Sequence, residues 1–155
     1  MPSPSLLIVT HSQSGRTAQL ANAAINGARS EDGGATDIIV ADPLSVAVET
    51  VQAASGYLFA TPENFGYMSG ALKYFFDRIY YPCENVLAGR AYGLIVSAGN
   101  DGTGAINSVQ RIVTGLALVP VQPPLLSVGG VTDSALEEAR LLGTTLAAGL
   151  DAGVF

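Results

Sequence analysis

The segment SLLIVT-HSQSGR-TAQLANAAINGAR, residues 5–29, places an apolar run, a polar loop and a helical stripe in immediate succession. Ser5–Thr10 shows no apolar–polar alternation, which suits a strand buried on both faces of a parallel sheet. Thr17 to Arg29 is Ala-rich, with Leu20, Ala21, Ala24, Ile25 and Ala28 at helical spacing. A doubly buried strand that feeds straight into an amphipathic helix is the opening of a βαβ unit, because parallel strands need a helical crossover between them.

The same alternation continues along the chain. Thr36–Ala41 is a second strand, broken by Asp42-Pro43, and a weaker helical stretch runs to about Ala54. Gly56–Ala60 is a third strand that Pro62, lacking an amide donor, cannot prolong. Tyr67–Tyr80 carries Met68, Leu72, Phe75, Phe76 and Ile79 on one helical stripe, with Pro82 as its stop and Cys83 in the loop beyond. Arg90–Ser97 is a fourth strand, and Ile106, Val109, Ile112, Val113 and Leu116 mark the next helix. Three prolines interrupt Leu118–Val128, so the fifth strand lies at its end or in two pieces. Thr132-Asp133-Ser134 caps a last helix with Leu136, Ala139, Gly143 and Leu146 inward. Five strands alternating with five helices predict an α/β three-layer sandwich, a doubly wound parallel sheet in one domain spanning residues 1–155.

Composition narrows the function. The chain has 155 residues, a net charge of −6, 48% hydrophobic residues and 13% charged ones. The charged share is about half the roughly 25% usual for soluble domains. Seven Lys and Arg residues, scattered from Arg16 to Arg140, argue against nucleic-acid binding. No apolar stretch approaches the roughly 20 residues of a membrane span. The start Met-Pro-Ser-Pro lacks the basic, cleavable pattern of a secretory signal. One cysteine, Cys83, and one histidine, His11, leave no disulfide framework and no thiolate or imidazole metal cluster. The expectation is a soluble cytoplasmic protein. The low charge also raises a homodimer interface, with Tyr80, Tyr81 or the Leu118–Leu126 segment as its place.

In an open parallel sheet, ligands bind beyond the carboxyl ends of the strands, where the strand order reverses. Polar loops follow strands one, three and four, and in the order 2-1-3-4-5 these strands are adjacent, so the loops converge. In the first loop, Ser12, Ser14 and Thr17 surround Gly15 directly before a helix. Unpaired amides, hydroxyl donors and the positive end of the helix dipole suit a phosphate; the competing reading is a Ser-rich cap that binds nothing. The pattern is neither Walker A nor Gly-x-Gly-x-x-Gly. In the second, Pro62 and Gly66 bracket a tight turn carrying Phe65 and Tyr67, against which a flat ring system can rest; the alternative is ordinary aromatic packing. The third, Ser97 to Gly104, holds three glycines and lets backbone approach a ligand edge, or is simply a flexible connection.

Together these stretches resemble the flavodoxin-like superfamily. Ser12-Gln13-Ser14-Gly15-Arg16-Thr17 looks like its phosphate loop. Thr-Pro-x-x-Phe-Gly-x-Met from Thr61 to Met68, with Phe76 and Asp77, is similar to the tryptophan-repressor-binding-protein type of quinone reductase. Thr61-Pro62-Glu63 followed by Gly70–Lys73 is similar to NADPH-dependent FMN reductases, and Leu87-Ala88-Gly89-Arg90 fits both. The resemblance implies the cofactor FMN. It places Ser12, Ser14, Gly15, Arg16 and Thr17 on the phosphate, and Thr61, Pro62, Glu63, Asn64, Phe65 and Gly66 along one side of the isoalloxazine. Ser97, Ala98, Gly99, Asn100 and Gly102 would face its other edge.

The resemblance further implies an oxidoreductase that takes hydride from NAD(P)H and passes it to a quinone-like acceptor or a redox partner by a ping-pong route. The flavin carries the chemistry, so no catalytic side chain is required; Tyr67, Asn100 and Asp101 are candidates to border the acceptor face. An Asp there disfavours negative charge on the reduced ring. Four departures bear on the choice of activity. Asn100-Asp101 stands where the quinone reductases place a His. The chain is short for their tetramer-forming segment. There is no Trp to stack on a flavin, and the chain is less acidic than electron-carrying flavodoxins. A non-enzymatic FMN electron carrier, or a domain that has lost its flavin, is the alternative. His11 reads as a packing or backbone-bonding ring, and Cys83 as a free thiol.

Overall fold

The computed structural model describes residues 2–11 and 15–155. Ser12 and Ser14 therefore lie outside the described residues. Strands β1 (Ser5–Thr10), β2 (Asp37–Ala41), β3 (Gly56–Pro62), β4 (Ala91–Ala98), β5 (Val119–Pro120) and β6 (Leu125–Val128) alternate with α1 (Arg16–Arg29), α2 (Val48–Ala53), α3 (Gly70–Cys83), α4 (Thr103–Gly115) and α5 (Asp133–Asp151). The sheet is parallel, in the order β2-β1-β3-β4-β5, with β6 also on β4.

Side-chain alternation along the central strands builds two cores. Leu7, Val9, Tyr57, Phe59, Leu94 and Val96 face α3 and α4 and meet Leu72, Phe75, Phe76, Ile79, Val109 and Val113. Leu6, Ile8, Leu58, Ala60 and Ile95 face the other way, against Leu20, Ala24, Leu142 and Leu146 of α1 and α5. This double burial is what the continuous apolar runs required. It also explains much of the low charge fraction, since β1, β3 and β4 have almost no solvent side. β2 is the exception: as an edge strand it leaves Ile39 and Val40 exposed.

Two expectations are corrected, and for the fifth strand the two-piece alternative is the one observed. The third helix begins at Gly70 rather than Tyr67, because Ser69 caps it, its hydroxyl accepting the Leu72 amide at 3.2 Å. Pro82 sits inside its last turn, so Cys83 closes the helix, buried, instead of lying in a loop. The fifth strand is split. Val119 and Pro120 pair with Ala91 and Tyr92, and Leu125–Val128 pairs with Ile95–Ala98 after the chain passes Pro123-Pro124. Of the segment considered for self-association, Tyr81, Val119 and Leu126 are exposed.

Arg90, read in the sequence as part of a motif and the start of the fourth strand, stands just before β4 and ties the N-terminal ends of two strands to α2. Its Nη1 donates to the carbonyls of Gln52 at 2.6 Å and Ala54 at 2.7 Å and to the Tyr57 hydroxyl at 3.1 Å. Tyr57 in turn donates to the Val51 carbonyl at 2.6 Å.

Candidate functional site

At the carboxyl ends of β1, β3 and β4 lies a cleft of about 130 Å³ lined by Arg16, Pro62, Glu63, Asn64, Ser97, Ala98 and Gly99. All three polar loops contribute. The cleft lies beside the reversal of strand order between β1 and β3, where open α/β sheets take their ligands.

In the first loop, Gly15 stands at φ +90° immediately before α1, and Arg16 is the first helical residue, exposed on the cleft. Thr17 is 1% exposed. Its Oγ1, with Thr10 Oγ1 and His11 Nδ1, is buried without a hydrogen-bond partner among the described residues. Buried hydroxyls normally find partners, and leaving one unmade costs about 1–3 kcal/mol. Two such hydroxyls beside the positive dipole of a helix start fit an anion that completes them. The donor set therefore fits the phosphate of a flavin nucleotide. Thr10 was not singled out in the sequence; its place as the last residue of β1, at the head of the loop, is the signal that would have found it. The His11 ring does not bond backbone through Nδ1.

The second loop divides its residues between cleft and scaffold. Pro62, Glu63 and Asn64 line the cleft. Thr61 does not: fully buried on the α3 side, its hydroxyl accepts the Ser69 amide at 3.0 Å and donates to the Pro62 carbonyl at 2.9 Å, setting the start of α3. Asn64 and Tyr67 exchange two backbone hydrogen bonds, 2.8 and 3.1 Å, around a two-residue turn. Phe65 at φ +53° and Gly66 at φ +70° fill its centre, the signature of a type I′ turn. Glycine suits this position; phenylalanine is strained there. Phe65 is fully solvent-exposed and Tyr67 is 41% exposed, so neither is the packing aromatic of the alternative reading. The turn is seated by Gly104, where any Cβ would overlap the Gly66 carbonyl.

The third loop contributes Ser97, Ala98 and Gly99 to the cleft wall. Gly99 has open space where a Cβ would stand, and Asn100 is exposed beside it. Gly102 is turned away: a side chain there would overlap Leu126, and its amide is taken by Glu63 at 3.0 Å. Asp101 is exposed at the start of α4, its carboxylate accepting the Thr103 hydroxyl and amide. It acts as a local cap, with one oxygen committed.

The sequence of residues 19–133 matches the family of NADPH-dependent FMN reductases. The chain belongs to that family. The matched region is well over half of the chain; it includes the second and third loops and begins just after the first. Among solved structures, this family member is similar to a flavodoxin from the domain Archaea, at 20% identity and a TM-score of 0.80, covering 94% of this chain and 98% of that one. It is similar to a flavodoxin, WrbA-like protein of Agrobacterium tumefaciens, at 20% identity and a TM-score of 0.74, covering 96% and 98%. It is also similar to the rubredoxin oxygen:oxidoreductase of Desulfovibrio gigas, at 14% identity and a TM-score of 0.81; there it covers 98% of this chain but only 38% of that one. These likenesses establish the flavodoxin-like fold. No curated protein matches the sequence. Family and fold together support an FMN-binding flavodoxin-like protein. Among the described residues no helix is long and apolar enough to cross a membrane, and no three metal-ligating side chains gather.

Proposed function

We propose that this chain, working as one flavodoxin-like domain, is an FMN-dependent NAD(P)H oxidoreductase whose acceptor is a quinone or a similar small electron acceptor. The observation that carries the reading is the convergence of three loops on one cleft, with the buried hydroxyls of Thr10 and Thr17, unpartnered among the described residues, beside its Arg16 end. Bound FMN supplies two-electron chemistry: it accepts hydride and passes the electrons on. The protein's part is orientation and electrostatics.

Gly15, Arg16 and Thr17 hold the phosphate, the charge of Arg16 adding to the helix dipole; Ser12 and Ser14 belong to the same loop. Pro62, Asn64 and the backbone of Phe65 and Gly66 flank one side of the ring, and Ser97, Ala98, Gly99 and Asn100 the other edge. Thr61, Glu63 and Gly102 hold these walls in place. Tyr67 and Asp101 stand at the rim and border the incoming coenzyme or acceptor. The negative charges of Glu63 and Asp101 near the site oppose accumulation of negative charge on a reduced ring and keep it strongly reducing.

The test is spectroscopic. The purified protein, supplied with FMN, is expected to be yellow, to bleach on addition of NADPH or NADH without oxygen, and to recover its colour when a quinone is added. Holoprotein that neither coenzyme can bleach would overturn the reading. Reduction by dithionite in two well-separated one-electron steps would then point to an electron carrier.

A further inference from the structure

Across the Asn64–Tyr67 turn from the cofactor cleft lies a second, larger hollow of about 590 Å³, between the start of α3 and one face of α4. Its volume lies within the roughly 300–1,000 Å³ typical of small-ligand sites. One turn separates it from the cleft: Asn64 lines one side, Tyr67 the other, and their backbones are bonded to each other. The α4 side is a helical stripe, Gly104, Asn107, Ser108, Arg111 and Ile112, at spacings of three and four. Two of these positions belong to the scaffold. Gly104 seats the Gly66 carbonyl, and the Ser108 hydroxyl accepts the Met68 amide at 3.1 Å. Asn107 and Arg111 remain, both exposed.

The charge in this hollow is out of keeping with a protein of net charge −6. Arg111 is the one charged residue of α4, which contains no Asp or Glu. It makes no ion pair or hydrogen bond among the described residues. The second cation, Lys73, is already compensated: its ammonium lies 2.6 Å from Asp77, one turn along α3. The hollow therefore offers one uncommitted positive charge, which suits a monoanion. A guanidinium fork meets a carboxylate or sulfonate through two parallel hydrogen bonds, and the Asn107 amide stands one turn from it on the same stripe. The remaining walls are flat and apolar. Tyr67 is 41% exposed, and Ile112 is half-buried.

We propose that this hollow selects the electron acceptor by its charge: the acceptor class is aromatic quinones that bear a carboxylate or sulfonate. Arg111 holds the anionic substituent, and the aromatic body lies against Tyr67, the residue that the hollow shares with the rim of the cleft. The inference rests on the reductase reading above and adds to it the charge of the acceptor. An acidic protein repels an anionic acceptor at long range, so a local cation is what such an acceptor requires. A neutral quinone gains nothing from Arg111, which makes this residue the determinant of specificity.

The test begins with binding, using probes that cannot be reduced. Calorimetric titration of the FMN-loaded full chain compares naphthalene-2-sulfonate, naphthalene-2-methanol and inorganic sulfate. The sulfonate is expected to bind about tenfold or more tightly than the alcohol. Arg111→Gln should erase most of that preference and Arg111→Lys only part of it, with thermal unfolding confirming that both variants fold. The second arm is kinetic: the KM for 1,4-naphthoquinone-2-sulfonate relative to that for 2-methyl-1,4-naphthoquinone should rise about tenfold in Arg111→Gln. Equal affinity for sulfonate and alcohol, an undiminished preference in Arg111→Gln, sulfate binding as tightly as the sulfonate, or an unchanged KM ratio would each overturn the assignment. Reduction of the neutral quinone with no advantage to the sulfonated one removes this inference and leaves the reductase reading standing. Bound FMN that neither NADPH nor NADH can bleach removes the reading and this inference with it.

Discussion

Glu63 and Gly102 are joined across two loops: Glu63 Oε1, after β3, accepts the Gly102 amide at the head of α4 at 3.0 Å. The second carboxylate oxygen accepts the Ala105 amide at 3.2 Å, and the Glu63 amide donates to the Ser97 carbonyl at 2.8 Å. A helix start leaves its first amides without intrahelical partners and carries a partial positive charge. Here a carboxylate from another loop satisfies them. The two walls that flank the cleft are thereby one unit.

Glu63→Ala is therefore expected to destabilise the protein by about 2–3 kcal/mol, the range for charge-assisted hydrogen bonds lost from a partly buried site. It should also weaken FMN binding, because the second and third loops lose their common anchor. Glu63→Gln keeps one acceptor and should fall between. Urea unfolding and flavin-fluorescence quenching measure the two effects. An alanine variant with wild-type stability would show that the carboxylate is not what holds the loops together.

Thr17→Val separates fold from cofactor. The hydroxyl is buried and unpartnered among the described residues, so the isosteric methyl removes a desolvation cost. The apoprotein should be as stable as the wild type or up to about 1 kcal/mol more stable. FMN affinity should fall about tenfold, the worth of one hydrogen bond to a charged phosphate. A valine variant that loses apoprotein stability would mean that the hydroxyl has a protein partner instead.

The strands were legible in the sequence because burial on two faces leaves an unbroken apolar signature, and the convergence of the loops followed from the doubly wound order 2-1-3-4-5. Ser5–Thr10, Gly56–Ala60 and Arg90–Ser97 all fall within a residue or two of the observed strands. The roles within the loops were less legible. Thr61, Glu63 and Gly102 sit among the cofactor-contacting positions in sequence, yet their side chains or amides are spent on one another or on helix starts. Spacing locates a loop, but the choice of partner for each polar group depends on which other loop arrives beside it. The start of α3 was misplaced for a related reason: Tyr67 and Met68 continue its apolar stripe, but the turn bonds of Asn64 and the Ser69 cap set the boundary.

Phe65 holds a conformation that suits Asn or Gly, with its ring in solvent. Phe65→Asn, which creates an Asn-Gly type I′ turn, should stabilise the apoprotein by about 1 kcal/mol. If the strain is kept for the ring's contact with flavin or coenzyme, the same change should weaken FMN binding or slow coenzyme oxidation several-fold. A variant that gains stability and loses nothing in binding or rate would assign Phe65 no functional part.

Alkaline pH should reveal the buried ionisable groups under β3 and β4. Burial pushes the Tyr57 hydroxyl above its ordinary value near 10, a push that the hydrogen bond and charge of Arg90 only partly offset. Burial likewise raises Tyr92, and it raises Cys83 above its ordinary value near 9. In each case the native state holds a proton that the unfolded chain releases first, so stability falls as pH rises. The contribution is complete below the unfolded values and drains away from about pH 9 for Cys83 and about pH 10 for the tyrosines. Urea midpoints should thus be flat between pH 7 and 8.5 and decline steeply toward pH 11. Cys83→Ala should flatten the first part of the decline. Tyr57→Phe loses its hydrogen bonds with Val51 and Arg90, so it should start about 1–3 kcal/mol lower at neutral pH. Its decline above pH 10 should nevertheless be shallower than that of the wild type. Parallel declines in wild type and both variants would place the alkaline sensitivity elsewhere in the molecule.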